Sequence, residues 1–293
     1  MVYSSARAAG LLALLAISSV LVWLYASRSG SGVSSAGTTT ATATAADTAG
    51  SAAMRRYGVD ESETDPSSQR PIDRDRRALN REQPGQLPMF TTLGYIQRPT
   101  PGRLLAQIMQ YYTDNVGARQ RESRGNLDYG FGRLAQEETH PNVVPLSREM
   151  QQYIGDSLQP LMEEWAGGVS LRFSMAYGIR EYSNHTFLKR HVDRVETHVL
   201  SAIIHLAHDV DRPWPLTIVA HDGVERTIDM EPGDLVLYEG ARCVHGRPYT
   251  LSGRSWTNVF AHFAPAEWTR GEHYARPQRR PLPRRRAPVH RDL

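Results

Sequence analysis

What most constrains this chain is a succession of short apolar stretches at strand period, running from Val169 to Phe263. Val169, Leu171, Phe173, Met175 and Tyr177 alternate with other residues, the pattern of a half-buried strand. Residues 200–206 form an almost continuous apolar run, as a strand buried on both faces would. His221-Asp222-Gly223 supplies a hairpin turn, Glu231-Pro232-Gly233-Asp234 a turn leading into Leu235 and Val236, and residues 255–263 alternate again. The pattern predicts strands over 169–177, 181–182, 187–192, 198–206, 216–220, 224–230, 234–238 and 256–263.

Two helices precede them. Pro101 suits a first turn, and Leu104, Leu105, Ile108, Met109, Tyr111 and Tyr112 follow at helical spacing. Ser147 is a fitting N-cap, with Glu149 in the first turn and Met150, Tyr153, Ile154, Leu158, Leu161, Met162 and Trp165 along one face. Gly167-Gly168 ends that helix. Roughly eight short strands after two helices predict an α+β domain dominated by a double-stranded β-helix, or jelly roll. That fold hosts binding modules as well as enzymes, so chemistry must be read from particular side chains.

His191 and Asp193 are two residues apart, so on a strand or at its end they point the same way. With the distant His245 they make up two imidazoles and one carboxylate. Such a set occupies three corners of an octahedron and leaves three open, which suits non-haem Fe(II). His-x-Asp alone is a common chance pair, and its ordinary reading is a surface turn. What lifts it here is the surrounding strand pattern, with His245 just past one strand and Arg254 nine residues later, leading into another.

On these residues the chain resembles the 2-oxoglutarate/Fe(II)-dependent oxygenases, in particular the prolyl 4-hydroxylase-like branch. The likeness spans roughly residues 88–265 and is strongest over 177–193 and 230–263. It implies that His191, Asp193 and His245 hold iron and that Arg254 clamps the far carboxylate of 2-oxoglutarate. It implies further that Tyr182 lines the pocket and that His205 stands where relatives place a Tyr touching the cosubstrate. Asn258, four residues after Arg254, is expected to share its face and assist. Arg247 competes for the clamp, but two residues past His245 and beside Pro248 it is expected to reach the pocket poorly. The implied cofactors are Fe(II), 2-oxoglutarate and O₂, with ascorbate admitted by the same resemblance. The implied reaction hydroxylates a substrate and releases succinate and CO₂. Peptidyl proline leads as substrate, with another peptide residue or a small molecule also open. One departure is that Arg212-Pro213-Trp214-Pro215-Leu216-Thr217 stands where the family has a Gly-Gly-Glu-Thr strand start. Alternatives from other classes are a catalytically silent jelly-roll binding module and a zinc-type hydrolase.

The ends read differently. Residues 8–26 form an uncharged apolar run between Arg7 and Arg28, close to the ~20 residues that span a bilayer, and are expected to be an uncleaved signal-anchor within 1–28. Residues 29–86 are expected to be a stem, low in complexity and then densely charged, with Ala78-Leu79 able to dock on the domain. The oxygenase domain is expected over 87–268. Within it, residues 123–138 read as a Gly- and Arg-rich loop, placed to lie over the pocket as a lid if it is not an ordinary surface loop.

Residues 269–293 read as a disordered Arg/Pro-rich tail. Without interleaved aromatics or a nucleic-acid module, no nucleic-acid partner is expected. The formal net charge is +3, with Lys189 the only lysine. The single cysteine, Cys243, excludes an intrachain disulfide and any zinc site built on several cysteines. The expected location is a single-pass membrane protein of the endoplasmic reticulum or Golgi with a lumenal domain, testable at the Asn184-His185-Thr186 acceptor.

Overall fold

The structure is a computed structural model and describes residues 56–57, 71–122 and 141–269. Among the described residues the helices are α1 (Pro71–Gln86), α2 (Gly102–Asn115) and α3 (Arg148–Trp165). The strands are β1 (Tyr95–Pro99), β2 (Gln120–Arg121), β3 (Asn142–Pro145), β4 (Leu171–Tyr182), β5 (Leu188–His191), β6 (Leu200–Val210), β7 (Leu216–Val219), β8 (Glu225–Ile228), β9 (Asp234–Tyr238), β10 (His245–Arg247) and β11 (Gly253–Pro265). They form a seven-stranded sheet, β1-β9-β6-β11-β4-β3-β2, and a four-stranded sheet, β5-β10-β7-β8. Every pairing is antiparallel. Mostly antiparallel sheet with few helices is what the sequence predicts for a jelly-roll core.

Period-two alternation splits the large sheet into two faces. Leu200, Ala202, Ile204 and Leu206 of β6, Leu235 and Leu237 of β9, and Val259, Ala261 and Phe263 of β11 pack in one core with Ile108 of α2 and with Ile154, Leu158 and Met162 of α3. The residues between them, Ile203, Val236, Tyr238 and Trp256, face the other way. There they join Leu216 and Ile218 of β7 and Ile228 of β8 in a second core between the sheets. Helix α3 is capped as expected, Ser147 Oγ accepting from the Met150 amide at 3.2 Å, and it continues through Pro160. Gly155 lets it lie on β4, because a Cβ there would fall 2.6 Å from the Phe173 ring.

Two differences from expectation concern the domain's boundary. Residues 71–86, expected to prolong the stem, form α1 and bond to β5, so the ordered domain starts before Leu87. Buried Asp73 pairs with Lys189 of β5 at 2.9 Å, which an unattached stem would not provide. Strands β1, β2 and β3 also join the large sheet from segments where no strand was predicted, β1 and β2 at its two edges. The expected anchor (residues 8–26), most of the stem, the whole 123–138 loop and the Arg-rich tail beyond Thr269 lie outside the described residues. Among the described residues no helix is long and apolar enough to cross a membrane.

Candidate active site

The small sheet brings the metal-ligand candidates together. In the β5–β10 pairing His245 lies directly opposite His191, with ring centroids 4.5 Å apart. Gly246 allows this closeness, since a Cβ there would come within 2.8 Å of the Leu188 carbonyl oxygen. The chain leaves β5 after His191, and the Asp193 amide donates to Gly240 O at 2.8 Å, turning the carboxylate toward the two rings. Asp193 Oδ1 is 3.7 Å from Nε2 of His191 and 3.7 Å from Nε2 of His245. The three donor atoms lie within 4.8 Å of one another, and among the described residues no other group of His, Cys, Asp and Glu is so arranged.

The protonation pattern suits a metal. His191 Nδ1 donates to Lys189 O and His245 Nδ1 to Cys243 O, each at 2.8 Å, which leaves both Nε2 lone pairs toward Asp193. Burial, reinforced by the neighbouring His245, pushes His191 down to about 4, so its ring is neutral near pH 7. Burial on its own would raise the Asp193 carboxyl, but the imidazoles of His245, His262, His198 and His191 hold it low, at about 2. Asp193 Oδ2, turned from the rings, accepts from Ser201 Oγ at 3.0 Å. Because Ser201 gives its proton to the carboxylate, its oxygen must accept the bond from His262 Nδ1 at 2.9 Å.

These residues line a cavity of about 360 Å³, toward the small end of ligand sites, roughly 300–1,000 Å³. Three arginines also line it, Arg180, Arg194 and Arg247. Arg180 is held by Glu122 at 2.5 Å and donates to Tyr182 Oη at 3.3 Å; these two neighbours outweigh burial and keep it charged. Arg247 is different. It is 1 % exposed and lies between the Trp214 and Trp256 rings, 4.8 and 4.7 Å from their centroids. It donates to Trp214 O and, at 3.4 Å, to Met230 Sδ, yet among the described residues it has no carboxylate partner. Burial pushes its pKa down to about 10, against the opposing pull of Tyr182 and of the Asp229 carboxylate. A guanidinium does not shed its proton in a protein, so this buried charge can take a further anion.

The predicted residues therefore divide. The structure brings His191, Asp193 and His245 together and places Tyr182 in the cavity wall, edge-on to Trp214. It does not place Arg254 there. That side chain is 84 % exposed and paired with Asp209 of β6, Nε to Oδ2 at 2.6 Å. The cause is a bulge: Gly253 faces Val210 and Ser255 faces Asp209, so Arg254 is the extra residue, turned outward. Asn258 and His205 are not in the wall either. His205 is fully buried, donates from Nδ1 to Asn258 Oδ1 at 2.8 Å, and stacks on Trp256 at 4.0 Å. Asn258 Oδ1 also accepts from Trp256 Nε1 at 3.1 Å, so both residues brace the tryptophan that Arg247 lies against. Arg247, read as badly placed, is a cation of the cavity wall. Its position two residues after His245 was the available signal, since it puts the two on one short strand. Trp214 is buried core, while Tyr177 is 46 % exposed and lines the cavity.

Fold and site together define a two-sheet antiparallel β-domain with a His–Asp–His group able to hold a metal ion beside a buried arginine. No protein-family model matches the chain, and no curated protein matches it. Solved structures of 2-oxoglutarate/Fe(II) oxygenases are similar to it. A Pseudomonas putida prolyl-4-hydroxylase is 17 % identical with a TM-score of 0.42, the match covering 59 % of this chain and 94 % of that one. A Trichoplax adhaerens prolyl hydroxylase, in complex with a hypoxia inducible factor peptide fragment, is 10 % identical with a TM-score of 0.43, covering 68 % and 94 %. HygX from Streptomyces hygroscopicus, with nickel, 2-oxoglutarate and hygromycin B bound, is 12 % identical with a TM-score of 0.43, covering 61 % and 86 %.

Proposed function

We propose that this chain is an Fe(II)- and 2-oxoglutarate-dependent oxygenase built on a double-stranded β-helix. The observation that carries the reading is that one cavity holds both the His191–Asp193–His245 group and a buried guanidinium able to take a further anion. A metal site alone would serve a hydrolase. A metal site beside such a cation fits a chelating dicarboxylate cosubstrate. A silent binding module has no use for two imidazole Nε2 atoms converging on an ionised carboxylate.

In this reading His191 Nε2, Asp193 Oδ1 and His245 Nε2 hold the metal, and Arg247 takes the far carboxylate of 2-oxoglutarate through its planar fork. Bound Fe(II) supplies the redox chemistry by which 2-oxoglutarate and O₂ yield succinate, CO₂ and a hydroxylated substrate. Trp214 and Trp256 exclude water around Arg247 and so strengthen its hold on a carboxylate. Ser201 keeps Asp193 Oδ2 occupied, leaving Oδ1 for the metal. Tyr177 at the exposed part of the wall meets the substrate, a peptide residue or a small molecule. Peptidyl proline is the specific substrate we put forward, on the sequence resemblance alone.

The test is succinate formation from 2-oxoglutarate. It should require Fe(II), fail with Zn²⁺ and be absent in Asp193→Ala, while a peptide panel is searched by mass for a gain of one oxygen. Robust succinate formation by Asp193→Ala contradicts the proposal.

We also propose that residues 8–26 anchor the chain in a membrane with this domain in the lumen, on the strength of the uncharged apolar run. Asn184 is exposed in the turn before β5, although Thr186 is buried. Expressed through a secretory pathway, the domain should resist protease in sealed microsomes; digestion without detergent would place it in the cytosol.

A further inference from the structure

Helix α1 belongs to neither sheet, yet three of its polar side chains bond the main chain that carries the candidate metal ligands. Arg76 Nη1 and Asn80 Nδ2 donate to Arg190 O, at 2.5 and 2.9 Å, one residue before His191. Gln83 Nε2 donates to Asp193 O at 2.8 Å and to Ala241 O at 2.7 Å. Those two carbonyls lie on separate segments. One is the loop of His191 and Asp193; the other is the turn that leads into β10 and His245. Arg242, on that turn, donates back to Pro84 O and Leu87 O at the end of α1. Asp73, at the start of the helix, is buried against Lys189. Both amide protons of one buried side chain thus bridge the two segments that must converge on a metal.

We propose that α1 is a clasp on the metal centre, with Gln83, Asn80 and Arg76 as positioning residues that hold the His191–Asp193 loop in register with His245. This rests on the metal reading above and adds that residues before the β-domain set how tightly the ion is held. The ligands stand at the end of one short strand and the start of another, where main-chain freedom is greatest. Fixing the Arg190 and Asp193 carbonyls from outside removes that freedom. Losing partners that orient ligands in this way typically weakens metal binding about 10- to 100-fold.

The test compares full-length wild type with Gln83→Leu, which keeps the bulk but loses both donors, and with Asn80→Ala at a half-buried position. Co(II) serves as the probe. Its affinity is measured by competition with a chelating indicator, its visible absorption reports ligand geometry, and the melting temperature of metal-free protein reports the fold. The clasp predicts Co(II) binding weakened about tenfold or more in Gln83→Leu and less in Asn80→Ala, with an altered Co(II) spectrum. It predicts a metal-free melting temperature lowered by no more than a few degrees. If Gln83→Leu does not fold, the Asn80→Ala comparison decides. Variants that bind Co(II) as tightly as wild type, with the same spectrum, overturn the clasp and leave the metal reading intact. Wild type that binds no Co(II) overturns both.

Discussion

His191 and His245 are cross-strand partners, facing each other in the β5–β10 register with ring centroids 4.5 Å apart. This pairing turns two residues 54 positions apart in sequence into one site, and it leaves the third ligand to the loop just past β5. The consequences can be tested residue by residue.

The clamp we propose is Arg247. A buried charge-assisted bidentate contact is worth on the order of 1.5–3 kcal/mol, roughly 10- to 150-fold in affinity. Arg247→Lys, which keeps the charge and loses the fork, should raise the apparent KM for 2-oxoglutarate into that range with Fe(II) affinity little changed. Arg254→Ala removes only an exposed pair with Asp209 and should change KM less than about twofold. Steady-state kinetics with varied 2-oxoglutarate separates the two.

The outer oxygen of Asp193 depends on Ser201. Ser201→Ala leaves a buried carboxylate oxygen without its donor, a cost of about 1–3 kcal/mol. Metal affinity should fall at least severalfold, read by calorimetric titration with Mn(II). Gly240→Ala should be harsher, because its Cβ would collide with Asp193 Oδ2 and lie 2.8 Å from Ser201 Oγ. That variant should melt as a folded domain and bind no Mn(II).

Much of this site was legible in sequence because its signal is local. The spacing of His191-x-Asp193 puts two candidate ligands on one side, the surrounding strand pattern lifts the pair above chance, and His245 follows the strand-forming stretch that ends at Tyr238. Arg254 was misread because counting nine residues assumes an unbroken strand. The bulge there and the positive φ of 141° at Gly253 turn it outward, and neither leaves a mark on hydrophobic periodicity. Arg247 was discounted because Pro248 suggested a turn, whereas β10 extends through Arg247 and the Trp214 and Trp256 rings enclose it. Asn258 was expected beside the clamp and instead accepts from Trp256 on its own strand and from His205 across the β6–β11 pairing. Helix α1 was hidden by its composition: dense charge reads as solvated stem, and only the fold supplies the carbonyls those charges meet.

Cys243 should behave as an inert core thiol. Burial first, and then the nearby Glu239 carboxylate, raises it to about 12. Folding thus favours the protonated form. That contribution to stability is full below about pH 9 and is lost as pH rises through 12. Native protein should fail to react with a thiol reagent at pH 8 and react fully once unfolded. Rapid labelling of the native protein at pH 8 would show that Cys243 is not enclosed beside Gly94.

The central claim is geometric, and one crystallographic measurement meets it directly. Crystals grown without oxygen and soaked with Mn(II) and 2-oxoglutarate should show one anomalous peak bounded by His191 Nε2, Asp193 Oδ1 and His245 Nε2. The keto-acid end of 2-oxoglutarate should lie on that ion and its far carboxylate on Arg247, between Trp214 and Trp256. An ion bound elsewhere, or a far carboxylate resting on Arg254 while Arg247 stays empty, would contradict the account.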